Sequence, residues 1–196
     1  RPRLKRIVEL LEMTGYSKGV SFTCQARANL VDDESADLLK RMGMTDVWMG
    51  LESGCAKTLD YLKGHSVTVE DNLIAINTLN KHGLHPIGSF IIGSPEETKA
   101  DILETYEFVK TSGLYYFQAH LLIPLPGTPI WDYALKRGIV SNGMDFSRLG
   151  MAQGDMSNPV IVSETLTAAE LKELHGKFLS LKTSMQIKKA IKNPLL

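Results

Sequence analysis

Polar side chains stand at alternate positions of four short apolar segments: Ser21, Thr23, Gln25 and Arg27 in the first, Glu52 in the second, Ser89 in the third, Gln118 and His120 in the fourth. The other alternate set in each segment is apolar, which is the period-two pattern of a strand with two unlike faces. A parallel strand covered on both sides is apolar on both. A small closed barrel fills its centre mainly with branched apolar side chains. The same polar bias in four strands points to a wet lumen that holds a ligand. A hydrogen-bonded core network is the alternative. Arg27 and Glu52 fall at strand ends, so they belong to the carboxyl rim, where α/β barrels bind ligands.

The segments that position these residues follow from spacing. Leu4, Ile7, Val8 and Leu11 make an amphipathic helix over 2–14 that Thr14-Gly15 ends. Residues 19–27 and 45–52 read as strands, with helices over 32–42, 55–62 and 68–82 between and after them. The stretch LHPIGSFIIGSPEE (84–97) is the centre of the pattern. Ile87, Phe90, Ile91 and Ile92 form a short β-rich run, Gly93 permits a sharp exit, and Pro95 precedes Glu96 and Glu97, which suit the first turn of the next helix. A helix over 99–111, a strand over 115–123, the loop PLPGTP (124–129) and a short helix ended by Gly138 follow. Residues 139–160 read as irregular, and Thr167 caps a covering or domain-connecting helix over 168–187. Strands separated by helices predict an α/β fold with parallel strands in a sheet or barrel.

The 196 residues carry 22 basic and 22 acidic side chains, so no net charge draws the chain to nucleic acid or an anionic membrane. No apolar run has transmembrane length. Cys24 and Cys55 show no paired spacing, which argues against a zinc ribbon or disulfide framework and fits a reducing cytoplasm. The chain lacks an initiator Met and starts in a basic, helix-compatible stretch, as expected of a piece of a longer polypeptide.

Ser89-Phe90-Ile91-Ile92-Gly93-Ser94-Pro95-Glu96 resembles the Gly-x-Ile-x-Gly-x-x-Glu motif on the fifth strand of radical S-adenosylmethionine (SAM) enzymes, with Ser89 in place of the first Gly. GLESG (50–54) resembles the fourth-strand motif that meets the SAM ribose, and LKGHSVTVED (62–71) the loop and helix start after it. LLIPLPGTPIWD (121–132) resembles the end of the sixth strand, and ARANL (26–30) the end of the third. The resemblance covers about residues 15–150 and is nearest to the branch that often carries an N-terminal cobalamin-binding domain. It implies a partial TIM-like (β/α) barrel over 1–150, followed by an irregular segment and C-terminal helix over 151–196. It further implies that Ser89, Ile91 and Gly93, with backbone at Leu122 and Ile123, lie near SAM. Glu52 would accept from a ribose hydroxyl, and Arg27 or Lys63 would pair with the methionyl carboxylate. Arg is better suited because it can form two parallel bonds. Each residue also has a structural reading: Glu52 as a cap for the helix 55–62, Arg27 as a partner of Asp32 or Asp33, Lys63 as a solvated loop cation. Gln118 and His120 would line the substrate side.

One absence limits what the resemblance implies. The family's Cys-x-x-x-Cys-x-x-Cys cluster loop and its Gly-Gly-Glu stretch have no counterpart here, and Cys24 and Cys55 cannot supply three thiolates on one loop. The chain would thus hold strands three to six of the barrel. A [4Fe–4S] cluster would be ligated elsewhere in the parent, beside SAM and in some members cobalamin, and the substrate would be a small molecule. The parent would cleave SAM reductively to drive radical chemistry or methyl transfer, and this piece alone would not. Two alternatives remain: a non-catalytic binding module, and an aldolase- or isomerase-type barrel. The second needs a phosphate loop, whereas 124–129 is Pro-rich. The first and last strands are expected to leave open sheet edges that favour dimers.

Overall fold

The structure is a computed structural model, and it describes residues 1–149 and 159–192. Its centre is a four-stranded parallel sheet in the order β1 (Phe22–Ala26), β2 (Met44–Glu52), β3 (His85–Ile92) and β4 (Tyr116–Leu121). The sequence order equals the spatial order, as expected where each strand is followed by helix. Helix α1 (Pro2–Thr14) precedes the sheet. The crossovers are α2 (Asp33–Arg41), then the pair α3 (Ala56–Lys63) and α4 (Val69–Lys81), then α5 (Lys99–Thr111); α6 (Pro129–Lys136) and α7 (Ala168–Lys192) follow β4.

The helix starts are set locally. Asp32, Thr68 and Thr98 each accept a backbone N–H three residues on, and Ser35, Asp71 and Asp101 return the bond. Such capping boxes satisfy two otherwise orphaned donors at each helix start. Glu96 and Glu97 do not open α5, because Thr98 takes the capping position and the helix begins at Lys99.

One face of the sheet supplies the core. Val47, Met49 and Leu51 of β2, Phe90 and Ile92 of β3 and Phe117 of β4 pack with Ala75, Ile76 and Leu79 of α4 and Ile102 and Val109 of α5. The opposite face carries the polar set, in rows fixed by the register. From the N-terminal end they run Thr23–Asp46–His85, then Gln25–Trp48–Ile87–Tyr116, then Gly50–Ser89–Gln118, with Ile91 beside His120 at the top. The α/β architecture and the two-faced strands expected from the sequence are therefore present.

The edge at β4 differs from expectation. Leu122 donates to the Ile92 carbonyl, so even-numbered backbone groups of β4 face β3 and odd-numbered ones face outward. The outward carbonyl of Ala119 accepts from His175 Nε2 of α7 at 3.0 Å. Helix α7 also sets Phe178 edge-on to Phe117 and Tyr106, and Leu171, Leu174 and Phe178 join the main core. The covering role of the last helix is thus the realised one, and β4 is not the open edge the sequence suggested. At β1 no strand pairs on the outer side among the described residues.

Phe178→Ala is expected to destabilise the chain by about 3 to 5 kcal/mol, the usual cost of removing a fully buried aromatic ring. The denaturant midpoint measures this. A change below about 0.5 kcal/mol, typical of exposed sites, would show that α7 is not docked.

Candidate functional site

The chain turns sharply where β2 ends. Glu52 has φ 61°, and it is the single non-glycine residue at positive φ among the described residues. Ser53 N–H donates to Leu51 O at 2.8 Å across it. A bond from residue i+2 back to i with a positive central φ is a γ-turn of the rare, strained kind. Such strain persists only where the surroundings fix it. Here Asn72 of α4, fully buried, donates Nδ2 to the same Leu51 carbonyl at 3.0 Å. Ser53 Oγ lies 2.8 Å from Thr105 Oγ1 of α5, which also accepts from Gly54 N–H at 3.1 Å. Gly54 permits that approach, since a Cβ there would overlap Phe108.

The strained turn aims the Glu52 carboxylate back over Gly50. A Cβ at Gly50 would push Glu52 Oε1 aside, so glycine in mid-strand leaves the carboxylate its place beside Lys63. Lys63, at the end of α3, donates Nζ to Gly50 O at 2.7 Å and lies 3.3 Å from Glu52 Oε1. The two side chains are only 22% and 19% exposed, so this ion pair is better shielded than those on the surface. The structure thus brings Glu52 and Lys63 together. Glu52 does not cap α3, whose N-cap is Cys55 without a side-chain bond, and Lys63 is not a solvated loop cation.

Arg27 follows β1, and its expected partners are taken. Asp32 caps α2 and pairs with Arg1, while Asp33 pairs with Lys81 at 2.9 Å and His82 at 2.8 Å. Among the described residues Arg27 has no ion pair. Ser89 and Gly50 form the shallow middle of the polar face, with Thr23, Gln25, Trp48 and Gln118 around an open cleft of about 810 Å³. Ile91 shares that face near its upper end. Leu122 and Ile123 leave β4 and pack against a second, smaller core built on Trp131, Val140 and Val162.

The loop after β3 is organised by a residue that the sequence pattern assigned to the next helix. Glu97, 2% exposed, turns back and accepts Gly93 N–H at 2.6 Å and Ser94 N–H at 3.1 Å through Oε2. The acidic residue that shapes the motif loop is therefore Glu97 rather than Glu96. Gly93 itself has φ 88°. Burial pushes the Glu97 carboxyl up to about 7, against the pull of the Ser94 and Gly93 amides. Residues 163–165 hold this loop from outside. Glu164 N–H donates to Pro95 O at 2.8 Å, Thr165 Oγ1 donates to Glu97 O, and the Glu164 carboxylate binds Tyr133 of α6 and Arg137 at its C-terminal end.

A [4Fe–4S] cluster does not fit the residues present. The one group with ligand spacing among the described residues is Cys55, Asp101 and Glu104, which offers a single thiol. Burial pushes that thiol up, and it lies 3.5 Å from Asp101 Oδ1. Three thiolates on one loop are absent from the sequence.

Comparison with known proteins decides the family. Residues 1–109, more than half of the chain, match the sequence model of the Radical SAM superfamily. The chain belongs to this enzyme superfamily. An uncharacterised methyltransferase of Pyrococcus horikoshii is 32% identical over 137 residues, covering 69% of this chain and 30% of that protein. A putative methylthiotransferase of Methanocaldococcus jannaschii is 29% identical over 135 residues, covering 66% and 30%. The chain thus spans 30% of the length of each of these relatives. The radical SAM methyltransferase TsrM of Kitasatospora setae, solved with tryptophan and a SAM analogue, is 20% identical, with TM-score 0.63 over 72% of this chain and 29% of that one. That likeness shows the shared fold.

Glu97 gives this radical SAM chain a pH signature. Its folded pKa lies above the ordinary 4.5, so between 4.5 and about 7 the folded state binds more protons than the unfolded one. Its contribution to stability therefore falls as pH rises through that window. Wild type should lose stability relative to Glu97→Gln between 4.5 and about 7, read from denaturant midpoints at each pH. A pH-independent difference between the two would refute the raised pKa.

Proposed function

We propose that this chain is the part of a radical SAM catalytic domain that holds the ribose, adenine and methionyl carboxylate of SAM, in a parent that carries out radical chemistry or methyl transfer. The observation that carries the reading is the over-determined γ-turn at Glu52, whose strained backbone holds a carboxylate at the carboxyl end of β2. Strain of order 1 to 3 kcal/mol is kept where a site needs it. Glu52 accepts from the ribose hydroxyls, and a charge-assisted bond of this kind is strong. Lys63 holds the carboxylate in place from behind and fixes Gly50 O. Arg27, without an ion pair among the described residues, takes the methionyl carboxylate on the same rim through two parallel bonds. Ser89, Ile91 and Gly93, with backbone at Leu122 and Ile123, border the adenine, and Glu97 keeps the Gly93 turn rigid.

The residues present suit SAM in donor, acceptor and charge. When bound at a reduced cluster, SAM supplies one-electron chemistry, and this chain supplies placement. The cluster ligands, and cobalamin where it takes part, lie on segments or domains of the parent outside this chain. The relatives named as methyltransferases and a methylthiotransferase support methyl or methylthio transfer to a small molecule. No described helix is long and apolar enough to cross a membrane, and a cytoplasmic setting fits two unpaired cysteines.

The test uses the full-length polypeptide, reconstituted with iron and sulfide without oxygen. The electron paramagnetic resonance signal of the reduced cluster should shift when SAM is added. Glu52→Gln should weaken SAM binding about tenfold, the loss of one charge-assisted hydrogen bond. A full-length protein that forms no cluster would sink the radical reading and favour the binding module.

A further inference from the structure

We propose that the lower half of the polar face, between Trp48, Tyr116, Gln118 and Lys182, binds a planar aromatic small molecule that carries an anionic group. This deepens the proposed function and rests on its reading of the chain as part of a radical SAM enzyme acting on a small molecule, with Gln118 and His120 on the substrate side. Trp48 and Tyr116 occupy one row of the sheet, with Ile87 between them. Ile87 is 5% exposed, and the two outer rings stand edge to face at 6.4 Å. They make an aromatic floor, with the Gly50–Ser89 saddle directly above it. A flat ring can enter there because neither residue projects a large side chain. Both rings are half-buried, and a flat π partner can pack on what they leave exposed by the same edge-to-face or offset geometry.

Charge sets the second half of the assignment. Lys182 of α7 reaches round the β4 edge and lies 5.0 Å from the Tyr116 ring centroid. It has no carboxylate partner among the described residues. His120 lies 3.2 Å from Gln118 Oε1, and burial, together with the positive fields of His175 and Lys182, holds its pKa down. The acids on the same face are engaged elsewhere. Asp46 is held by His85 Nδ1 at 3.0 Å and Thr45 at 2.9 Å, and Glu52 by Lys63 at 3.3 Å. A lysine beside a ring, facing donors and no free carboxylate, is complementary to an anion and repels a cation. Gln25 and Gln118 flank the saddle and offer both donors and acceptors to a ring edge.

Calorimetric titration of the reconstituted full-length protein tests this with three probes of one shape: 2-naphthoate, neutral 2-naphthylmethanol and cationic 2-naphthylmethylammonium. Naphthoate should bind at least about tenfold more tightly than the alcohol, as one charge-assisted contact allows, and the cation should bind most weakly. Lys182→Gln should bring naphthoate to the level of the alcohol, and Trp48→Leu should weaken all three probes together. SAM affinity, measured in the same samples, should stay unchanged in both variants and reports that they are folded. Naphthoate binding no tighter than the alcohol, or unmoved by Lys182→Gln, overturns the proposal. Failure of wild type to bind SAM counts against the proposed function instead, and the probe ranking still decides for or against this pocket.

Discussion

The backbone at Glu52 can hold its unfavourable conformation only because three elements grip the residues around it. Asn72 fixes the Leu51 carbonyl from α4, Thr105 fixes Ser53 and Gly54 from α5, and Lys63 returns from α3 to Gly50. The Glu52 carboxylate then fills the space that a glycine at position 50 leaves. Without the packing of α4 and α5 on the sheet, Glu52 would relax to negative φ and its side chain would leave the rim. The strained turn is therefore a product of the whole core rather than of its own five residues.

A similar dependence governs the loop after β3. Glu97 gathers the amides of Gly93 and Ser94, and the segment from 160 to 167 fastens that loop to α6 through Pro95, Glu97 and Glu164. Val160 and Val162 anchor the segment in the small core, and Leu166 anchors it in the large one. Helix α7 then closes the β4 edge and carries Lys182 and Lys189 to aromatic rings at the lower end of the sheet. The C-terminal region thus does two things at once: it stabilises the rim loops and contributes cations to the lower lumen.

Much of this was readable from residue patterns. The two-faced strands follow from period-two alternation, and Asp32 and Thr68 mark helix starts, whereas the cap at Thr98 was hidden behind the more obvious acidic pair Glu96 and Glu97. GLESG and the 89–96 stretch carried the resemblance to radical SAM enzymes, and family membership agrees with it. What sequence did not reveal depends on contacts between distant segments. Pairing of Glu52 with Lys63 needs the return of α3 towards β2. The role of Glu97, one place beyond the residue that the motif spacing picks, depends on a loop that reverses after Pro95. The covering of β4 arises from His175 and Phe178, more than fifty residues after the strand they protect. The room that Gly50 leaves for Glu52 Oε1 is likewise a side-chain contact that residue spacing does not reveal.

In the proposed site, strain at Glu52 presents a carboxylate to the SAM ribose. The most direct measurement is a high-resolution structure of the full-length protein with SAM bound. Glu52 should keep positive φ, and its carboxylate should lie within hydrogen-bond reach, about 2.6 to 3.2 Å, of a ribose hydroxyl. A SAM ribose bound elsewhere, or Glu52 relaxed to negative φ with its carboxylate bonded to Lys63 alone, would contradict it.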